Sequence, residues 1–257
     1  MTDDKIKKLL SQAHGTGALS AKSLATLDVI DVGAQIQAGL GIAIDDVAAS
    51  EVVLLTMMPD DSQSIAAAGN TEAVRDGHNF VLDALRASKQ SGEVLAHTRY
   101  LNGHVLFPYT ALDHAVQMTA RNYDPRLGTP LFDQTAVLLG TVIAKSQELA
   151  QAGIAVRTVT LIITDGGDYG STRCRPADVK AVVADMLAQE NHVVAAMGIS
   201  DGTTDFKQVF RAMGIPDRWI LTPGNSAQEI RRAFQVFSQS AAAIGAGGAA
   251  ALGGFSN

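Results

Sequence analysis

The stretch Val52-Val53-Leu54-Leu55-Thr56-Met57-Met58-Pro59-Asp60-Asp61-Ser62-Gln63-Ser64 joins an apolar run to a cluster of acids and hydroxyls. The run reads as a strand, and an Asp-x-Ser-x-Ser sequence sits where it ends. A second strand-like run, Val159-Thr160-Leu161-Ile162-Ile163, ends in Thr164-Asp165-Gly166. Between the two, Gly128-Thr129-Pro130-Leu131 opens a helical stretch. In a parallel α/β sheet, strand C-termini and helix N-termini gather along one edge, where ligands bind. The carboxylates of Asp60 and Asp165 and the hydroxyls of Ser62, Ser64 and Thr129, converging there, suit a hard divalent cation that takes oxygen ligands.

The 257 residues are enough for one large α/β domain or two small ones. A hydrophobic fraction of 47% and a mean hydropathy of +0.13 mark a well-cored globular protein. A net charge of −6, with no dense Lys/Arg run, argues against a nucleic-acid partner held by phosphate neutralisation. The single cysteine, Cys174, excludes an internal disulfide framework and fits a reducing compartment. Residues 1–8 carry acids and no apolar core follows them, unlike a secretory signal. No window of about 18 apolar residues is present to span a bilayer. A cytoplasmic protein without membrane association is the expectation.

Strand and helix patterns alternate along the chain, which predicts an α/β fold. The expected form is doubly wound: a mostly parallel central sheet with one antiparallel edge strand and helices on both faces. Residues 1–48 read as an N-terminal extension, 49–240 as the domain and 241–257 as a Gly/Ala-rich tail. Within the extension, Lys5 to Gln12 reads as a short helix interrupted by Gly15 and Gly17. The apolar series Leu24, Leu27, Val29, Ile30, Val32, Ile36 and Leu40 has a mixed period and reads as neither helix nor strand. The extension either packs on the domain surface or docks onto another chain.

Inside the domain, residues 71–88 predict a helix with Val74, His78, Val81, Leu82 and Leu85 on one face. His78 reads as a partly buried polar residue there, since no second His or Cys stands at ligand spacing. Leu95 to Leu101 and His104 to Pro108 read as a hairpin over Asn102-Gly103. A short helix is expected at 111–120. Thr129 stands where a helix N-cap should be, with Pro130 at the first helical position, so cap and metal ligand are both open roles. The helix that follows, to about Ala152, is apolar nearly all round and should be central. Asp168 reads as a surface loop acid. Ser226 and Glu229 form a capping box for a last helix that turns Ile230, Phe234 and Phe237 inward. The tail reads as flexible or, through Leu252 and Phe255, as a segment that docks in a groove.

Asp60, Ser62, Ser64, Thr129 and Asp165, in that order, resemble the metal-ion-dependent adhesion site of the von Willebrand factor A domain family, in its bacterial intracellular type. The resemblance covers roughly residues 50–240. In the family, an Asp-x-Ser-x-Ser, a Thr on a second loop and an Asp on a third surround one Mg²⁺ or Mn²⁺. It implies those five residues as the metal set, with Gln63 and Ile65 departing from the usual Gly and Met. Neutral hydroxyls quench a cation's charge poorly, so the site is expected to recruit a Glu or Asp carboxylate from a protein partner. An AAA+ ATPase or a stress-response complex is the kind of partner the resemblance implies.

Other chemistries fit less well. The chain lacks a Gly-x-x-x-x-Gly-Lys-[Ser/Thr] loop and a Gly-x-Gly-x-x-Gly after its first strand. Ser62 occupies the second acidic position that haloacid-dehalogenase-like phosphatases require. The expectation is therefore a binding module and not an enzyme. The alternatives are a structural or oligomer-forming protein that carries the motif without a metal-dependent ligand, and, less favoured, a metal-dependent hydrolase.

Overall fold

The computed structural model describes residues 2–28, 30–88, 91–246 and 254–255. The strands β1 (Glu51–Met58), β2 (Val94–Arg99), β3 (Val105–Ala111), β4 (Ala155–Thr164), β5 (His192–Gly198) and β6 (Ile220–Leu221) form one sheet. Their order is β3-β2-β1-β4-β5-β6, and every neighbouring pair is parallel except β2 with β3. The chain thus builds outward from β1 in one direction, then returns to lay β4 on its other side. This places the topological switch point between the C-terminal ends of β1 and β4, where open α/β sheets bind ligands.

β1 is buried along all but its first residue, as its unbroken apolar run requires when helices cover both sheet faces. The helices are α1 (Thr2–Gly15), α2 (Ala21–Leu27), α3 (Ile30–Leu40), α4 (Gln63–Ala67), α5 (Thr71–Arg86), α6 (Leu131–Gln151), α7 (Pro176–Ala188), α8 (Phe206–Ala212) and α9 (Ala227–Gly245). α5 and α9 pack on one face; Val74, His78, Val81, Leu82 and Leu85 of α5 are all buried. Val52 and Leu54 of β1 cluster with Leu149 of α6 on the other face. α6 is buried almost all round, because α1, α3 and α7 pack around it.

The N-terminal extension is part of this packing. Ile6, Leu9, Leu10, Leu27, Val32, Ile36 and Leu40 join the main core. A Cβ on Gly140 of α6 would lie 2.7 Å from Ile36 Cδ1, so α3 and α6 approach closely. Buried Lys145 donates to Ile42 O and to Glu148, and Glu148 also receives Lys5, which ties α1 and the end of α3 to α6. The apolar series over 24–40 has a mixed period because α2 ends at Asp28, whose amide closes on Leu24 O, and α3 starts a new phase.

Three expectations are corrected. Residues 111–120 form only a 3₁₀ turn at Leu112–His114. Their main chain is held by α5 side chains instead: Asn79 bonds both ways with Met118, and Arg86 donates to Leu112 O and Ala115 O. The last helix runs on to Gly245 with Ala241 and Ile244 buried, so the core continues past Phe237. Histidine 78 is fully buried, with Nε2 bonded to Thr98 Oγ1 at 2.9 Å. Leu252 lies outside the described residues, while Phe255 is partly buried against Trp219. Pro108 falls in the β3 bulge opposite His97, where no ladder donor is needed. Among the described residues no single helix is long and apolar enough to cross a membrane.

Candidate metal centre

Met58 of β1 pairs with Ile162 of β4, so the residues that follow each strand emerge side by side. Asp60 is fully buried there. Its Oδ2 accepts from Thr164 Oγ1 at 2.7 Å and its Oδ1 from Ser62 N at 2.7 Å. The second bond turns the chain sharply into α4. Ser62 Oγ then lies 2.8 Å from Ser64 Oγ, and Ser64 Oγ donates to Asp165 Oδ1 at 2.6 Å. Asp60, Ser62, Ser64 and Asp165 therefore share one hydrogen-bonded cluster. Thr164, which the sequence reading passed over, links Asp60 to the β4 side.

The Thr129 loop is clamped between the other two. Ser62 bridges to Leu127, and Gln63 N donates to Leu127 O at 3.0 Å. Thr129 exchanges both main-chain bonds with Tyr169, at 3.1 and 2.8 Å. Its hydroxyl makes no hydrogen bond among the described residues, and the residue, 7% exposed, lines the groove over the cluster. The N-cap role for Thr129 does not hold. Pro130 occupies the cap position of α6 without a side-chain cap bond. The first-turn amides of Phe132 and Asp133 donate instead to Ser171 Oγ, at 3.0 and 3.1 Å. Asp168 also accepts from Phe132, so this loop acid has an anchoring role.

The anchoring is mutual. Asp133 accepts from the amides of Thr172, Arg173 and Cys174, which holds the loop after β4 against the start of α6. These partners stand 39 to 41 residues away, beyond any local sequence pattern. Asp61 does not join the serines. Its Oδ1 accepts from Asn102 N in the hairpin turn at 3.1 Å, and its carbonyl accepts from Arg126 and Leu127.

Burial dominates the electrostatics. It raises the Asp60 carboxyl above its ordinary value, against the hydrogen bonds from Ser62 and Thr164. It pushes Asp61 up to about 7 and Asp165 up to about 6, with the charge of Asp60 adding to both. None of these three acids forms an ion pair among the described residues. Such a concentration of buried, uncompensated carboxyls is what a bound cation would relieve. Among the described residues no group of three His, Cys, Asp or Glu side chains is disposed to hold a metal. A cation here would therefore draw on hydroxyls as well as carboxylates, and the donor set fits a hard one. The cluster opens to a groove lined by Ser62, Ser64, Thr129 and Gly166, with Leu127 (54% exposed) and Tyr169 (81% exposed) on its rim.

No protein-family model matches the chain, and no curated protein matches its sequence. Among solved structures it is similar to the pilus adhesin SpaC from Lactobacillus rhamnosus GG, in its open conformation. The identity is 15% over 75% of this chain and 30% of the adhesin, with a TM-score of 0.52. It is also similar to proximal thread matrix protein 1 from the mussel byssus, at 16% identity over 76% of this chain and 47% of that one, TM-score 0.49. A further structure of the mussel protein is described with a zinc-occupied MIDAS motif. The SpRpn10 VWA domain matches at 12% identity over 71% of this chain and 93% of that domain, TM-score 0.48. The chain spans less than half the length of the adhesin and of the thread protein. The likeness to the adhesin shows a shared fold.

Proposed function

We propose that this protein is a metal-dependent protein-interaction module of the von Willebrand factor A kind, which captures an acidic residue of a partner through a bound Mg²⁺ or Mn²⁺. The observation that carries the reading is the Ser62–Ser64–Asp165 hydrogen-bond chain beside buried Asp60, open to a groove at the switch point. Asp60, Ser62, Ser64, Thr129 and Asp165 would hold the cation. The unbonded Thr129 hydroxyl and the uncompensated carboxyls support that assignment. When bound, the ion supplies a site for an anionic oxygen, because hydroxyl ligands leave its charge incompletely quenched.

The protein's own residues do the rest. Ser64 orients Asp165, Thr164 and the Ser62 amide orient Asp60, and the Leu127 and Thr129 pairings keep the three loops in register. Leu127 and Tyr169 on the rim offer apolar area to a protein surface around the acidic residue. An AAA+ ATPase or stress-response complex in the cytoplasm is the partner setting we favour, on the strength of the motif resemblance. This is recognition chemistry and not catalysis.

Titration of Mg²⁺ and Mn²⁺ by calorimetry tests the reading. One site is expected, lost in Asp60→Ala and in Asp165→Ala, with Ca²⁺ a poor substitute because it prefers more ligands at longer distances. Unchanged affinity in both variants would sink the assignment. A partner captured equally well in Mg²⁺ and in chelator would instead favour the structural alternative.

A further inference from the structure

At the sheet edge opposite the candidate metal centre, Gly254 and Phe255 lie against the segment that leads into β6. Phe255 N donates to Arg218 O at 3.0 Å. The Phe255 ring meets Trp219 edge-on, with centroids 5.1 Å apart and planes at 78°. Gly254 has φ +131°, and a Cβ there would lie 2.8 Å from Arg218 Cβ and 3.1 Å from Arg218 O. The first position therefore demands glycine, on both conformation and space. The second is set by an aromatic floor. Beside the contact, Leu187, Glu190, His192, Val193, Arg218 and Trp219 line a half-open cavity of about 370 Å³. A main-chain bond with a side-chain pocket beside a short edge strand is how sheet proteins bind extended peptides.

We propose that this corner is a peptide-docking groove for a Gly-aromatic segment, held in cis by the chain's own Gly254-Phe255 as a displaceable plug. The geometry permits closure within one chain. α9 ends beside β1, where a Cβ on Gly245 would lie 3.7 Å from Val53 Cγ2. From β1 to β6 is three strand spacings, about 14 Å. Eight residue steps separate Ala246 from Gly254, enough at full extension for about 26 Å, so the distance permits one chain to supply its own Gly254 and Phe255 at a high effective concentration. A partner segment with glycine before an aromatic residue would compete for the same place. This groove is independent of the metal reading.

Trp219 is the sole tryptophan, so its emission reports the groove directly. The test titrates a synthetic peptide, Ala-Leu-Gly-Gly-Phe-Ser-Asn, into the full chain and into full-length Phe255→Ala. A saturable change is expected in the variant, with an apparent affinity at least about tenfold tighter than in the parent, whose plug competes. Full-length Gly254→Ala should free the groove in the same way, while a peptide carrying that change should not bind. No saturable response in either variant, or equal affinity in variant and parent, overturns the proposal. Concentration-dependent self-association of the parent that Phe255→Ala abolishes would place the tail on a second copy and overturn the cis plug.

Discussion

Ser64 and Asp165 stand 101 residues apart in the chain, and their side chains meet at 2.6 Å. The β1–β4 register produces this meeting. With Met58 paired to Ile162, Asp60 and Asp165 emerge two and three residues beyond the pair on the same sheet edge. A slip of one residue would turn alternate side chains to the opposite face and part the cluster. The pairing of β1 with β4 runs unbroken from Glu51 opposite Ala155 to Met58 opposite Ile162, which fixes the register up to the cluster.

Thr164 is the hinge of that cluster, and its hydroxyl is the part to test. Thr164→Val keeps the shape but removes the donor to Asp60 Oδ2. A buried carboxylate with one donor fewer should cost about 1 to 3 kcal/mol, read by urea unfolding. Metal affinity should fall about 10- to 100-fold, since partners that orient ligands carry effects of that size. Thr164→Ser retains the hydroxyl and should restore most of both. Unaltered metal affinity in Thr164→Val would remove Thr164 from the site.

Thr129 and Ser171 should separate ligand from cap. Thr129→Ala removes a hydroxyl that bonds to nothing among the described residues, so the fold should lose little while metal affinity drops. Thr129→Ser should preserve the metal. Ser171→Ala removes the acceptor for Phe132 N and Asp133 N and should cost about 1 kcal/mol without touching the donor set. If Thr129→Ala binds metal as the parent does, Thr129 serves only to join its loop to Tyr169.

The sequence showed what depends on local order. The apolar runs of β1 and β4, the one-sided pattern of α5 and the turn at Asn102-Gly103 are each contained within a few residues. So are the acids and hydroxyls that end the two strands, which made the candidate site readable. What escaped was set at a distance. Asn79 and Arg86 of α5 take up the main-chain groups that residues 111–120 needed for a helix. Ser171 caps α6 from 38 and 39 residues away, so Thr129 looked like a cap when only its neighbours were in view. The break at Asp28 hid α2 and α3 by shifting the helical phase between them.

The end of α9 tests where the domain's core stops. Ala241 and Ile244 are buried at 3% and 2% exposure, so the residues after Ser240 contribute packing that their Gly/Ala-rich composition conceals. Ile244→Ala should cost about 2 to 5 kcal/mol, as buried Ile truncations do. Loss of residues 241–257 should lower the melting temperature by more than Phe255→Ala does alone. Melting temperatures within a degree of the parent for both changes would place the end of the core before Ala241.

His192 gives a pH dependence whose sign can be worked through. It begins β5, almost fully buried, with Nδ1 bonded to Thr158 Oγ1 at 2.7 Å. Burial pushes its pKa down from 6.5 to about 4. Below pH 6.5 the unfolded chain takes up a proton that the folded chain refuses, so stability is lost as pH falls toward 4. The slope is about 1.4 kcal/mol per pH unit for one proton. His78 and His97 are shifted in the same direction, and the raised carboxyls act oppositely, so the parent's own profile is a mixture. His192→Gln isolates the term, because the other groups cancel in the difference between parent and variant. Measured by urea unfolding, the parent's advantage over the variant should be constant above pH 7. It should then shrink by about 1.4 kcal/mol per unit down to pH 4 and level off below that. A difference that stays flat from pH 7 to pH 4 would mean that folded His192 takes the proton as readily as the unfolded chain, with the ring reached by water at the edge of the tail groove.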